Sequence, residues 1–178
     1  MAAALFVTAV LSTALGAVAG IYNSTEIDLR VALLYALCLT APLAWRRRLP
    51  CTVAVAVSVA FFAGMMARVP ELYVGNVALF IAFYTVGAWV DNRRRAFLVR
   101  VAIIAGMFTW LLISMFIDAT APTDEGLSRA GLFSPYVAFM LIQFLVNVAF
   151  FGGAYYFGNR TFESRRQREI LAERSVEL

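Results

Sequence analysis

The chain has 178 residues, 62% hydrophobic and 15% charged, with a mean hydropathy of +0.80 and a net charge of +4. A soluble globular domain carries roughly 45–50% apolar and about 25% charged residues, so this balance excludes one and predicts an all-α, polytopic membrane protein. Histidine is absent, which excludes His-based catalysis, phosphotransfer and metal ligation within these residues.

Six apolar runs, at about 1–22, 29–45, 51–67, 74–90, 99–117 and 135–157, predict a bundle of six transmembrane helices of about 20 residues each. The first, "MAAALFVTAVLSTALGAVAGIY", lacks the basic start of a secretory signal and reads as a retained helix. Its Ser12, Gly16 and Gly20, at spacing four, form a small-residue face for a dimer or partner contact, or for packing within the chain. Pro42 should kink the end of the second helix, and Pro50 should open the third. "TVAVAVSVA" alternates like a strand, but an isolated strand in lipid leaves its backbone unpaired, so helix is expected. Trp45 and Trp89, just before arginine clusters, read as interfacial anchors, as do Tyr22, Tyr73 and Tyr136 at the opposite ends. Ser134-Pro135 reads as the N-cap and first residue of helix 6.

All 15 basic residues are arginine. Arg46, Arg47 and Arg48 follow helix 2; Arg93, Arg94, Arg95 and Arg100 lie between helices 4 and 5; Arg160, Arg165, Arg166, Arg168 and Arg174 follow helix 6. These twelve fall on one side, against Arg30, Arg68 and Arg129 on the other, so the rich side and both termini are expected in the cytoplasm. The expected location is a bacterial plasma membrane, with lipid as the first partner and no nucleic acid.

Several polar residues fall inside the spans: Asn76 and Tyr84 in helix 4, Trp110 and Ser114 in helix 5, and Gln143 and Asn147 in helix 6. Facing lipid they would be costly, so they should point inward. There they serve either as interhelical hydrogen bonds or as the lining of a small-molecule or lipid-headgroup pocket. Asp91, Arg100 and Asp118 all lie near span boundaries, and the lack of a midplane ionisable group disfavours ion-coupled transport. No catalytic constellation, metal cluster or cofactor motif is present, so no catalytic residue, metal or cofactor is assigned to residues 1–178.

From Arg160 onward the residues favour helix. Leu171 and Leu178, seven apart, could begin a dimerisation seam, and Phe162 and Ile170 are the other bulky apolar residues there. Gly158-Asn159 is the expected weak joint, because both are poor helix formers. If the helix runs through unbroken, alanine at 158 should preserve or strengthen coupling. A solvated juxtamembrane helix attracted to anionic lipid is an equal reading of the tail.

The segments "APLAWRRRLP", "LFIAFYTVGAWVDNRRR" and "GNRTFESRRQREILAER" resemble the membrane region of actinobacterial sensor histidine kinases paired with LuxR/NarL-type response regulators. The resemblance implies a two-component system for signal transduction: residues 1–157 sense, and 158–178 link to a dimerisation helix. Gly158, Asn159, Phe162, Leu171 and Leu178 would then transmit the signal in a homodimer. It further implies a kinase core absent from these residues, where ATP and magnesium would bind and which a response regulator would meet. Two alternatives remain: a substrate-binding membrane subunit of an energy-coupling-type importer, or an accessory subunit bound to another membrane protein.

Overall fold

The computed structural model describes residues 2–18, 29–67, 69, 74–120 and 134–176. Their regular structure is helical throughout: α1 (Ala2–Val18), α2 (Leu29–Thr40), a 3-10 segment (Ala41–Trp45), α3 (Pro50–Met66), α4 (Val74–Trp89), α5 (Arg93–Thr120) and α6 (Pro135–Val176). Each proline acts where its ring permits. Pro42 sits where α2 tightens into the 3-10 segment, and Pro50 is the first residue of α3. Ser134 caps α6: the Val137 N–H donates to its Oγ at 3.3 Å and the Ala138 N–H to its carbonyl at 3.0 Å. The alternating "TVAVAVSVA" stretch is helical in α3.

Two boundaries differ from the sequence reading. Helix α5 starts at Arg93 rather than near 99, because the Asn92 side chain caps it, accepting the Arg95 N–H at 3.1 Å. It also ends at Thr120 rather than near 117, whereas α6 runs on unbroken from the apolar run through Gly158 and Asn159 to Val176. At 1.5 Å per residue its 42 residues reach about 63 Å, roughly twice a hydrocarbon core. Within α5 and α6, Arg93–Ile117 and Pro135–Ser175 are long and apolar enough to cross a membrane. The described parts of α1 to α4 are apolar but shorter, at 12 to 17 residues.

The packing is inverted relative to a water-soluble bundle. Ala9, Ala54, Ala78, Ala88, Ala96 and Ala154 are fully buried, whereas Leu11, Leu34, Val59, Leu98, Phe116 and Leu145 are exposed. Small residues inside let backbones approach, and many large apolar residues lie on the outer surface. Water would penalise that exterior. Helix α4 lies at the centre, packed by α1, α2, α3, α5 and α6. Its interior side chains, such as Leu79, Phe83 and Val86, form the core. Phe83 meets Phe151 of α6 edge-on at 5.4 Å, and Phe80 meets Phe150 at the same distance, geometry worth about 0.5–1.5 kcal/mol per pair beyond burial. Gly20, Tyr22, Tyr73 and Leu178, singled out in the sequence, lie outside the described residues.

Candidate functional site

Helices α3 to α6 enclose a cavity of about 420 Å³. Three side-chain amides line it, from Asn76, Gln143 and Asn147, with the Trp110 indole. Leu79, Met107, Phe150 and Phe151 supply apolar wall, and among the described residues no charged side chain faces it. Gln143 and Asn147 share a face of α6 because they are four apart, and the Asn147 amide donates to the Gln143 carbonyl at 2.9 Å. Trp110 is held edge-on against Phe62 of α3 at 5.7 Å. The arrangement can bind a small uncharged or amphipathic molecule through amide hydrogen bonds; it contains no nucleophile–base pair for chemistry.

Further along α6, Phe151 is followed seven residues later by Gly158, two turns on and on the same side. There α6 crosses the end of α4, with Gly158 against Gly87. A Cβ on Gly158 would lie 3.0 Å from the Tyr84 carbonyl oxygen and 3.2 Å from the Gly87 Cα. Both glycines are thus required by close approach. Gly158 is thus a contact point within an unbroken helix, where an added methyl would need the α4 backbone to give by a few tenths of an ångström.

Around this crossing lies an arginine cluster. The last carbonyls of a helix have no partner within it and carry the negative end of its dipole. Arg93 Nη1 donates to the Gly87 carbonyl at 2.9 Å, and Arg165 Nη1 to the Ala88 carbonyl at 3.0 Å. Helix α4 is therefore closed by one arginine from α5 and another from α6. Asn159 Oδ1 accepts from Arg93 Nη2 at 2.6 Å and from Arg100 Nη2 at 2.9 Å. Arg100, read from the sequence as a boundary residue, is 1% exposed. Its guanidinium lies 4.0 Å from the centre of the Tyr155 ring, and its Nη1 has no hydrogen-bond partner. Among the described residues no carboxylate pairs with it; one ring face, the Ala96 carbonyl and one amide hold the cation instead.

Aromatic rings complete the cluster. The Arg165 and Arg47 guanidiniums lie 4.3 and 5.1 Å from the Trp89 ring centre, and Arg93 lies 4.4 Å from that of Phe162. Tyr84 Oη donates to Thr161 Oγ1 at 2.9 Å, a second tie between α4 and α6. Beyond it, Arg165 and Glu169 form an ion pair at 3.3 Å along α6.

A domain family of unknown function, DUF7134, matches residues 1–161. The chain belongs to the DUF7134 family. No curated protein and no solved structure matches it. The matched region of DUF7134 takes in the amide cavity, the glycine crossing, Asn159 and Thr161, and stops short of Arg165.

Four of the six pocket candidates, Asn76, Trp110, Gln143 and Asn147, therefore line one cavity of this DUF7134 chain. Tyr84 is elsewhere, bonded to Thr161, and Ser114 is half-buried on α5 without being part of that lining. Of the transmission candidates, Gly158, Asn159 and Phe162 meet α4 or α5, and Leu171 is exposed. Among the described residues no three His, Cys, Asp or Glu side chains gather to hold a metal. The sequence reading missed Gly87, Arg93, Arg100 and Arg165. A signal was available: after the Asn92 cap, Arg93 and Arg100 are seven apart and share a helix face with the buried Ala96.

Proposed function

We propose that residues 1–178 are the membrane-embedded, signal-sensing and dimerising portion of a sensor histidine kinase. The observation that carries this reading is the continuity of α6, which lines the amide cavity at Gln143 and Asn147 and emerges as an arginine-rich helix ending at Val176. Six helices cross the bilayer with both termini in the cytoplasm. Helices α1 to α4 reach across despite their shorter described lengths because bilayers thin locally at modest cost. Support comes from large apolar side chains exposed on all of α1, α2, α3, α5 and α6, and from the twelve-to-three arginine bias.

In this mechanism a small molecule in the cavity binds two arrangements of α6 with different affinity and so shifts their populations. The glycine crossing and the arginine cluster fix where α6 leaves the bundle, and the segment beyond Glu169 carries the displacement to a partner copy. The test is chemical. Native protein recovered from its host membrane and incubated with labelled ATP should acquire acid-labile, alkali-stable phosphate. This chain has no histidine, so the phosphate would sit on residues outside it. A folded native protein that stays unlabelled would overturn the kinase assignment and favour the importer-subunit or accessory-subunit reading.

A further inference from the structure

A second cavity, of about 500 Å³, opens between the loop after the 3-10 segment, α4 and α6. Its lining is graded. Arg46 and Arg47 stand at one side with the hydroxyls of Tyr84 and Thr161, while Phe80 and Phe157 form apolar wall. Among the described residues no carboxylate lines it. It is separate from the amide cavity, with which it shares no lining residue.

We propose that this cavity binds the headgroup and upper chain of an anionic phospholipid. Guanidinium groups beside the Thr161 hydroxyl, whose own proton is left free when it accepts from Tyr84, match a phosphodiester oxygen set, which accepts several hydrogen bonds and bears one negative charge. A choline or ethanolamine headgroup would place a cation beside two arginines, so zwitterionic lipid is disfavoured. The aromatic wall favours a lipid over a soluble phosphate: Phe157 is exposed on the outer surface of α6, beside the bilayer an acyl chain would occupy. The volume falls within the usual range for a site of a few hundred Å³. Basic pockets between transmembrane helices at the cytoplasmic face are a recurrent setting for acidic headgroups. A lipid here sits on the Tyr84–Thr161 hydrogen bond, one of the ties between α4 and α6, so its occupancy bears on how α6 is held.

The inference rests on the membrane placement proposed above, not on the kinase assignment. It is tested by placing the chain in nanodiscs of phosphatidylcholine with a minority of phosphatidylglycerol and reading retained lipid by native mass spectrometry. The wild type should retain phosphatidylglycerol over phosphatidylcholine by about tenfold or more. The Arg46→Gln/Arg47→Gln double variant should lose that preference. Arg94→Gln/Arg95→Gln, which removes two exposed arginines from the same end of the bundle, should keep it. Equal loss in both variants would overturn the site in favour of general surface attraction, and so would full retention without Arg46 and Arg47. Displacement of the lipid by millimolar inorganic phosphate would overturn the lipid assignment. Thermal unfolding in pure phosphatidylcholine checks that the double variant is folded; phosphatidylglycerol should then raise the wild-type midpoint and leave the variant's unchanged. Membrane insertion is read separately by carbonate extraction, so a chain that inserts without selecting anionic lipid overturns this inference alone.

Discussion

Asn159 is a neutral side chain serving two cations. Its Oδ1 accepts from both Arg93 and Arg100, and replacing it by leucine leaves Arg100 buried with another unmet donor. Asn159→Leu should cost about 3 kcal/mol or more, as when one member of a buried charged set is removed. Asn159→Asp places a carboxylate at the same point, where charge-assisted bonds are about twice as strong as neutral ones. It should stabilise by ~1 kcal/mol or more, seen as a higher unfolding temperature in detergent; a lower one would show that the node does not need an acid. Gly158→Ala tests the crossing. With 3.0 Å to the Tyr84 carbonyl and backbone, not side chain, on most of the opposing surface, the added methyl should cost about 1–3 kcal/mol. An unchanged midpoint would mean that α4 and α6 separate easily.

Helix α6 has two parts with different supports. Up to Arg165 it is held by α4 and α5; beyond Glu169 no contact with another element is present among the described residues, and Ile170 and Leu171 are exposed. In the proposed sensor, the segment past that point is where rotation would be passed on without disturbing the bundle. In a homodimer, cysteine at Leu171, with Cys38 and Cys51 replaced, should cross-link between copies in native membranes. Two residues inserted after Glu169 turn position 171 by about 200° and should abolish the cross-link, while seven should largely restore it. Equal yields in all three would leave the segment a tether. Much of the element plan was legible in the sequence: apolar run lengths, Pro42, Pro50 and Ser134 placed the helices. That Asn76, Gln143 and Asn147 turn inward was legible too, because amides in an apolar run have few places to go; whether they pack or line a cavity was not. The arginine node was not. An arginine in a hydropathy reading marks a boundary, and nothing local in "RRRAFLVR" says that Arg100 finds an amide and a tyrosine ring from α6.

At the scale of the molecule, the arginine node gathers one end of α4, α5 and α6, the end that the proposed topology puts in the cytoplasm. A membrane-impermeant thiol reagent applied from outside should spare single cysteines at Arg47 and Arg94, and modify one at Asp124, which lies outside the described residues. Labelling at Arg94 would reverse the orientation. The inverted packing carries its own consequence. Where alanines and glycines separate two helices there are no rotamers to repack, so the Gly87–Gly158 contact behaves as a stiff bearing. A shift of α6 at the amide cavity cannot be absorbed there by one side chain changing its well. It either leaves the crossing unmoved or carries Asn159, and the two guanidiniums bonded to it, along as a unit. Such a mechanism responds in discrete steps, and a graded stimulus would be reported as the fraction of molecules that have stepped.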